Sequence, residues 1–300
     1  MPGSGVAGGR PRVVVLGGGR GLTATVRAVR AYAGRTTAVV ATADDSGSTG
    51  RLRSSMAIPA PGDVRRCMIA MAGLEDLPLG RAFEHRFAGT DVEGHALGNL
   101  LLAGMTAVTS HFLGAIDEVS RLLGLDPEVA ATLPATVNPV DLSATTVGGT
   151  EVFGQYAVSK TPGIARVWLH PPDVHAPERV VAAILDADQI VLGPGSLYTS
   201  ILAAALVPDI HLALAEAQAR EVYVCNLEPE DAETLGYDVA AHVAALVAHG
   251  VEPDVVLVSR DCALPLGDVK IDVVQASLAA PDGTAHDSDK LAVALTDLLP

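Results

Sequence analysis

Three hundred residues are enough to bury a substantial core, and with 49% hydrophobic but only 3% aromatic residues that core must be built mainly from Ala, Val and Leu. Thirty-five acids against 20 bases leave a net charge of −15, which excludes a duplex-binding protein that must neutralise phosphates over a wide surface. The scarcity of aromatic rings argues equally against a single-strand nucleic-acid binder that stacks bases.

In chain order, the first residues carry no apolar stretch, so 1–11 reads as a short disordered tail and not as a signal peptide. Residues 12–16 form a buried strand that runs into Gly17-Gly18-Gly19-Arg20-Gly21 and a helix over 22–33. A second strand at 36–42 ends in a loop over 43–53, and Pro59-Ala60-Pro61-Gly62 breaks the chain before a helix starting near Asp63. Helices follow at 77–88, 97–108 and 112–124. The pattern changes at about 132–170, where 133–137, 141–146, 151–158 and 165–170 look like strands with Gly148-Gly149 as a hairpin turn. Alternation then resumes: a helix at 177–186, a strand at 189–192, helices at 197–206 and 209–219, a strand at 221–225 and a helix at 237–249. Late strands at 255–258 and 272–275 precede a last helix at 288–299. This predicts one α/β unit over 12–300, a doubly wound, mainly parallel Rossmann-like sheet with a small antiparallel β insertion.

No apolar run approaches the roughly 18 residues of a membrane span, so no membrane insertion is expected. Cys67, Cys225 and Cys262 lie far apart without a CxxC pair, which predicts reduced thiols in a cytosolic protein. Charge is uneven: residues 1–66 hold ten arginines and three acids, a surplus of +7 that leaves −22 on the rest. A basic region in an acidic chain suits a small anionic ligand, although Arg10, Arg12, Arg27, Arg30 and Arg35 fit a tail and an exposed helix face equally well.

Four strand-to-helix loops carry the chemistry. Gly17, Gly18, Gly19 and Gly21 offer unshielded amides at a helix N-terminus, where the dipole favours an anion, but the third glycine of the dinucleotide fingerprint is replaced by Leu22 and no P-loop lysine follows. In the second loop Ser46, Gly47 and Ser48 supply amide and hydroxyl donors and Arg51 a fork for phosphate. Asp44 stands where an acid reaches a ribose hydroxyl; alternatively Asp44 and Asp45 hold Mg²⁺ beside a diphosphate, or the segment is an Asx-rich surface turn. Gly193, Gly195 and Ser196 make a further anion loop, with Thr199 as an extra donor; the sequence lacks the glycine two residues after the serine that a nucleophile elbow needs. The fourth loop begins at Asn226 and ends at Tyr237. His95 reads as a cap or packing residue, no His–carboxylate spacing marks a transition-metal centre, and no nucleophile–base pair is evident.

Six ordered stretches, Gly17–Leu22, Ala43–Arg53, Pro61–Arg65, Leu97–Leu101, Leu192–Ser200 and Glu233–Tyr237, closely resemble the YvcK family of gluconeogenesis factors within the CofD-like superfamily. The likeness runs from about residue 12 to 299. It adds Asp63, Asn99, Tyr198 and Thr234 to the candidate ligand-binding residues. It implies a cytoplasmic bacterial protein that binds a UDP-sugar such as UDP-N-acetylglucosamine, needs no cofactor, and serves cell shape and peptidoglycan synthesis during gluconeogenic growth. Partner proteins of cell-wall synthesis and a homodimer belong to that expectation. The sibling branch, 2-phospho-L-lactate transferase, uses a GTP-derived donor and Mg²⁺, and gives an enzymatic alternative in which Asp44, Asp45 and Asp63 hold the metal. Two departures stand out. Arg20 replaces a small residue of the family pattern, and Ala285 stands where many relatives have arginine. Ser288 falls where some relatives have a phosphorylatable threonine.

Overall fold

The computed structural model describes residues 9–89, 91–229 and 232–300. Of the tail expected at 1–11, residues 1–8 lie outside that range, while the Pro11 carbonyl already accepts the Gly34 N–H at 2.8 Å. Among the described residues the ten strands are β1 (Arg12–Gly17), β2 (Arg35–Val40), β3 (Ala130–Pro134), β4 (Asp141–Thr146), β5 (Glu151–Phe153), β6 (Ile164–His170), β7 (Gln189–Leu192), β8 (Arg220–Val224), β9 (Val255–Ser259) and β10 (Asp272–Ala276). Seven form a wholly parallel sheet in the order β10-β9-β8-β7-β1-β2-β3, and β5-β4-β6 form a small antiparallel sheet. The main sheet is the doubly wound arrangement in which the chain starts in the middle, runs to one edge, then returns and builds outward on the other side.

Both faces of the sheet are covered, which is why β1 reads as a continuous apolar run. Val14 and Leu16 point into one core together with Leu142, Ile164, Leu169, Tyr198 and Ile201, so the insertion shares that core. Val13 and Val15 point into the other, against Leu22, Val26 and Val29 of the helix Gly19–Tyr32 and Met68 of the helix Pro61–Ala72. Among the described residues no single helix is long and apolar enough to cross a membrane.

Three local expectations differ from the structure. The stretch expected at 133–137 as part of the insertion is β3, which pairs in parallel with β2 through Ala38↔Thr132 and Val39↔Leu133. Among the described residues five helices separate β2 from β3, and a short apolar run carries no label of its partner. The stretch 151–158 is a strand only to Phe153; Gly154, at φ +95°, turns the chain into the helix Gln155–Ser159. The loop expected over 43–53 is helical from Gly47 on, as part of the helix Gly47–Met56. Its composition is poor in helix formers, and it buries only Ser48, Thr49 and Leu52, so no apolar period announces it.

Candidate functional site

The strand order reverses between β1 and β7, and the crevice outside the carboxyl ends of such strands is where open α/β sheets bind ligands. The loops leaving these two strands meet there backbone to backbone. A Cβ on Gly21 would stand 2.1 Å from the Pro194 carbonyl oxygen, and one on Gly195 would stand 3.2 Å from that of Gly18. Only glycine permits this approach. The buried Thr25 hydroxyl donates to the Gly193 carbonyl at 2.9 Å, tying the first helix to the loop after β7. Asn226, just past β8, clamps the Gly195 peptide from both sides: its Oδ1 accepts the Gly195 N–H at 2.9 Å and its Nδ2 donates to the Gly195 carbonyl at 3.1 Å.

These loops wall a cleft of about 460 Å³, completed by residues 227–229 and 284–286. Exposed Arg20 brings the cleft a cation. His286, also on its wall, is 9% exposed, and its Nε2 is buried without a hydrogen-bond partner. Burial pulls its imidazole down to about 4, outweighing the raising contact with the Cys225 backbone, so the ring is neutral at pH 7.

The helix N-termini behind the glycine loops already hold carboxylates of the protein itself. Asp63 Oδ2 accepts the Gly19 N–H at 2.7 Å, and Asp63 Oδ1 lies 3.1 Å from Arg66. Burial raises the Asp63 carboxyl, with Asp44 adding to the rise, while Arg66, the Gly19 N–H and Arg65 oppose it. At the other loop Glu233, 1% exposed, accepts the Tyr198 N–H at 3.2 Å and the Thr199 hydroxyl at 2.8 Å. Thr234 beside it is fully buried. Tyr198 is the second residue of the π-helix Leu197–Leu202, and its hydroxyl lies 2.8 Å from that of Tyr237 and 3.2 Å from the Ile164 carbonyl. Both phenols therefore face the insertion rather than the cleft.

The second loop divides its residues among three neighbours. Asp44 Oδ1 accepts the Ser46 N–H at 2.9 Å and the Ser46 hydroxyl at 2.7 Å, an Asx turn, and its Oδ2 lies 3.8 Å from the Cβ position of Gly62. Asp45 turns to the insertion: Oδ1 accepts the Tyr156 N–H at 2.9 Å, and Oδ2 fills the space where a Gly154 Cβ would sit at 2.5 Å. The adjacent carboxylates thus diverge, and the acid that shares the electrostatics of Asp44 is Asp63. Gly47, at φ +53°, starts the helix that presents Ser48 and Arg51. Ser48 lies 3.0 Å from His95 Nδ1 and 3.1 Å from Asn99 Nδ2, whereas Arg51 donates to the Glu93 carbonyl at 2.6 Å. Among the described residues no group of three or more His, Cys, Asp or Glu is placed to hold a metal ion.

Sequence reasoning passed over several of these groups. Glu233 and Arg65 sit in quoted motifs without an assigned role; Glu84 and His95 acquire theirs through partners 19 and 47 residues away. Arg53, whose guanidinium bonds the Ala43, Asp44 and Val140 carbonyls, pins the second loop to the start of β4. No local signal foretells such contacts.

The family model described as 2-phospho-L-lactate transferase CofD matches residues 13–293, nearly the whole chain. The chain belongs to the CofD family. Within it, the chain is 42% identical over 253 residues to the gluconeogenesis factor of Halalkalibacterium halodurans, covering 83% of this chain and 77% of that protein. To the gluconeogenesis factor of Bacillus subtilis it is 41% identical over 244 residues, covering 81% and 76%. A crystal structure of a UPF0052 family member from Bacillus halodurans superposes with a TM-score of 0.88 at 35% identity, over 97% of this chain and all of that one. This CofD-family chain brings two of its quoted motifs, the glycine loops, together at the switch point. Those around Ser48, Arg65 and Asn99 gather in an adjoining polar cluster, joined to the first through the Asp63–Gly19 bond.

Proposed function

We propose that the switch-point cleft binds a nucleoside diphosphate sugar of the UDP-N-acetylglucosamine kind, and that the protein acts in the cytosol as a sensor of that ligand. In this reading it is a regulatory factor, working as a homodimer, for cell shape and peptidoglycan synthesis during gluconeogenic growth, and its effect passes to partner proteins of cell-wall synthesis. The observation that supports the reading is the backbone contact of the two glycine loops, which makes a cleft within the volume range of small-molecule sites and places Arg20 on its wall. The diphosphate meets Arg20 beside the joined glycine loops; the Gly19 N–H stays with Asp63 and the Gly195 N–H with Asn226. Neutral His286 suits the uncharged part of the ligand.

A Mg²⁺ ion carried in by the ligand would take Asp44 Oδ2 together with phosphate oxygens, since this ion is commonly held by one or two carboxylates and its substrate's phosphates. Asp45, bound to the insertion, is not part of that set. The enzymatic alternative, a transferase with a GTP-derived donor, draws on the family description and on the approach of Asp44 to Asp63.

A thermal-shift panel of UDP-sugars, GTP and GDP, with and without Mg²⁺, separates the readings, because a ligand that binds only the folded chain raises its melting temperature by mass action. The proposal expects a saturable rise with a UDP-sugar. A rise with GTP alone favours the transferase, and no rise with any nucleotide overturns both.

A further inference from the structure

His95 ends a chain of hydrogen bonds whose direction follows from donor and acceptor chemistry. Arg65, 1% exposed, spends Nε and Nη2 on the two Glu84 oxygens at 2.9 and 2.8 Å and Nη1 on Asn99 Oδ1 at 2.6 Å. A guanidinium only donates, so the oxygen of the Asn99 amide must face it and the NH₂ must face Ser48. The Asn99 Nδ2 then donates to Ser48 Oγ at 3.1 Å. The single hydroxyl proton of Ser48 is left for its other partner, His95 Nδ1, at 3.0 Å. In the arrangement where Ser48 gives that proton to Nδ1, the nitrogen accepts and the imidazole proton resides on Nε2, on the ring edge away from Ser48. Arg65 and Asn99 at 1% exposure and Ser48 at 5% make this a buried, built support for one tautomer of a partly exposed ring.

Two guanidiniums flank the turn that carries the ring. Arg51 Nη2 donates to the Glu93 carbonyl at 2.6 Å, and Arg86 Nη1 donates to the Gly94 carbonyl at 2.8 Å. Neutral carbonyls fix the position of these side chains without cancelling their charge. Among the described residues neither forms an ion pair, while the nearby Glu84 is committed to Arg65. Asp91 and Glu93 on the same turn are exposed. Burial, then both cations, hold the His95 pKa down, which favours the neutral imidazole.

We propose that Arg51, Arg86 and the Nε2–H of His95 form an oxyanion site that takes a phosphoryl group. It draws on none of the residues that wall the glycine-loop cleft. All three groups donate and two carry charge, which selects an anionic oxygen acceptor. The buried chain from Arg65 through Asn99 to Ser48 acts as a positioning device for the His95 donor. The group recognised is either free phosphate or the phosphate of a nucleotide.

The test is ¹⁵N NMR of the histidine side chains during titration with inorganic phosphate, and separately with UDP-N-acetylglucosamine, at ionic strength matched with sodium chloride. The expected result is an Nε2–H pattern for His95 and a saturable shift of its signals with phosphate. The half-saturating concentration should rise at least about tenfold, the equivalent of 1.4 kcal/mol, in the doubly exposed variant Arg51→Gln/Arg86→Gln. A shift with the nucleotide sugar, lost in the same variant, supports the oxyanion site but moves that ligand's diphosphate here from Arg20; a shift with phosphate alone identifies a separate phosphorylated molecule and leaves the cleft reading untouched. An Nδ1–H pattern, a shift reproduced by chloride, no saturable shift in either titration, or one unchanged in the double variant overturns the proposal.

Discussion

Asp63 Oδ2 accepts the Gly19 N–H at 2.7 Å, so the helix that leaves the first glycine loop meets an acid of its own chain before it meets any ligand. That carboxylate is a negative charge at the position where a phosphate would be attracted, and it stands close enough to Asp44 to feel it. Replacing Asp63 by Asn keeps an acceptor for the Gly19 N–H and removes the charge. Calorimetry of Asp63→Asn should then show tighter binding of a UDP-sugar, by about threefold to tenfold for a partly buried charge. Weaker binding would instead make Asp63 a ligand contact.

A pH dependence follows from Glu221 on β8. Burial, with Asp254 adding to it, pushes this carboxyl up to about 7 from an ordinary 4.5. A carboxyl raised on folding binds more protons in the native state, so its contribution to stability is full below 4.5 and is lost as the pH climbs toward 7. Glu221→Gln lacks this loss. Urea midpoints measured from pH 4 to 8 should show the variant gaining on the wild type as the pH rises, with the gain levelling off above about 7; parallel curves would contradict the assignment.

Gly21 and Gly19 fail on substitution for different reasons. A methyl group on Gly21 would stand 2.1 Å from the Pro194 carbonyl oxygen, whereas one on Gly19 meets nothing within 4 Å but must adopt φ +68°. Gly19→Ala should cost about 1–2 kcal/mol from backbone conformation alone. Gly21→Ala must push the two loops apart, costing about 1–3 kcal/mol and taking ligand binding with it. Denaturant titration and calorimetry on the two variants separate strain from steric exclusion.

Asn226 has both amide groups on the Gly195 peptide at 2.9 and 3.1 Å. Asn226→Ala removes both of these bonds from half-buried Gly195, at a cost of about 1–3 kcal/mol. Hydrogen exchange should show the Gly195 amide losing protection before the rest of the sheet does.

Much of this arrangement was legible in the sequence. Strand–glycine–helix succession placed the loops after β1, β2, β7 and β8 on one edge, because every strand of the sheet runs the same way. The glycines marked the loops that meet at Gly21 and Pro194, although in sequence they read as anion-binding amides and not as a close approach. Two kinds of fact stayed hidden. The partner of a strand across a long excursion, as for β3 beside β2, is decided by packing that a short run does not encode. The destination of a polar side chain is equally unmarked: Asp44 and Asp45 are adjacent, yet one closes an Asx turn and the other caps a helix of the insertion. The Ser48–His95 contact, 47 residues apart in the chain, belongs to the same class.

The most direct test of the central claim is isothermal titration of UDP-N-acetylglucosamine into the wild type and into Arg20→Gln, whose side chain is exposed on the cleft wall. The account predicts saturable binding to the wild type, weakened about tenfold by loss of one charge-assisted contact worth about 1.5 kcal/mol. Absence of binding, or equal affinity in both proteins, would contradict it.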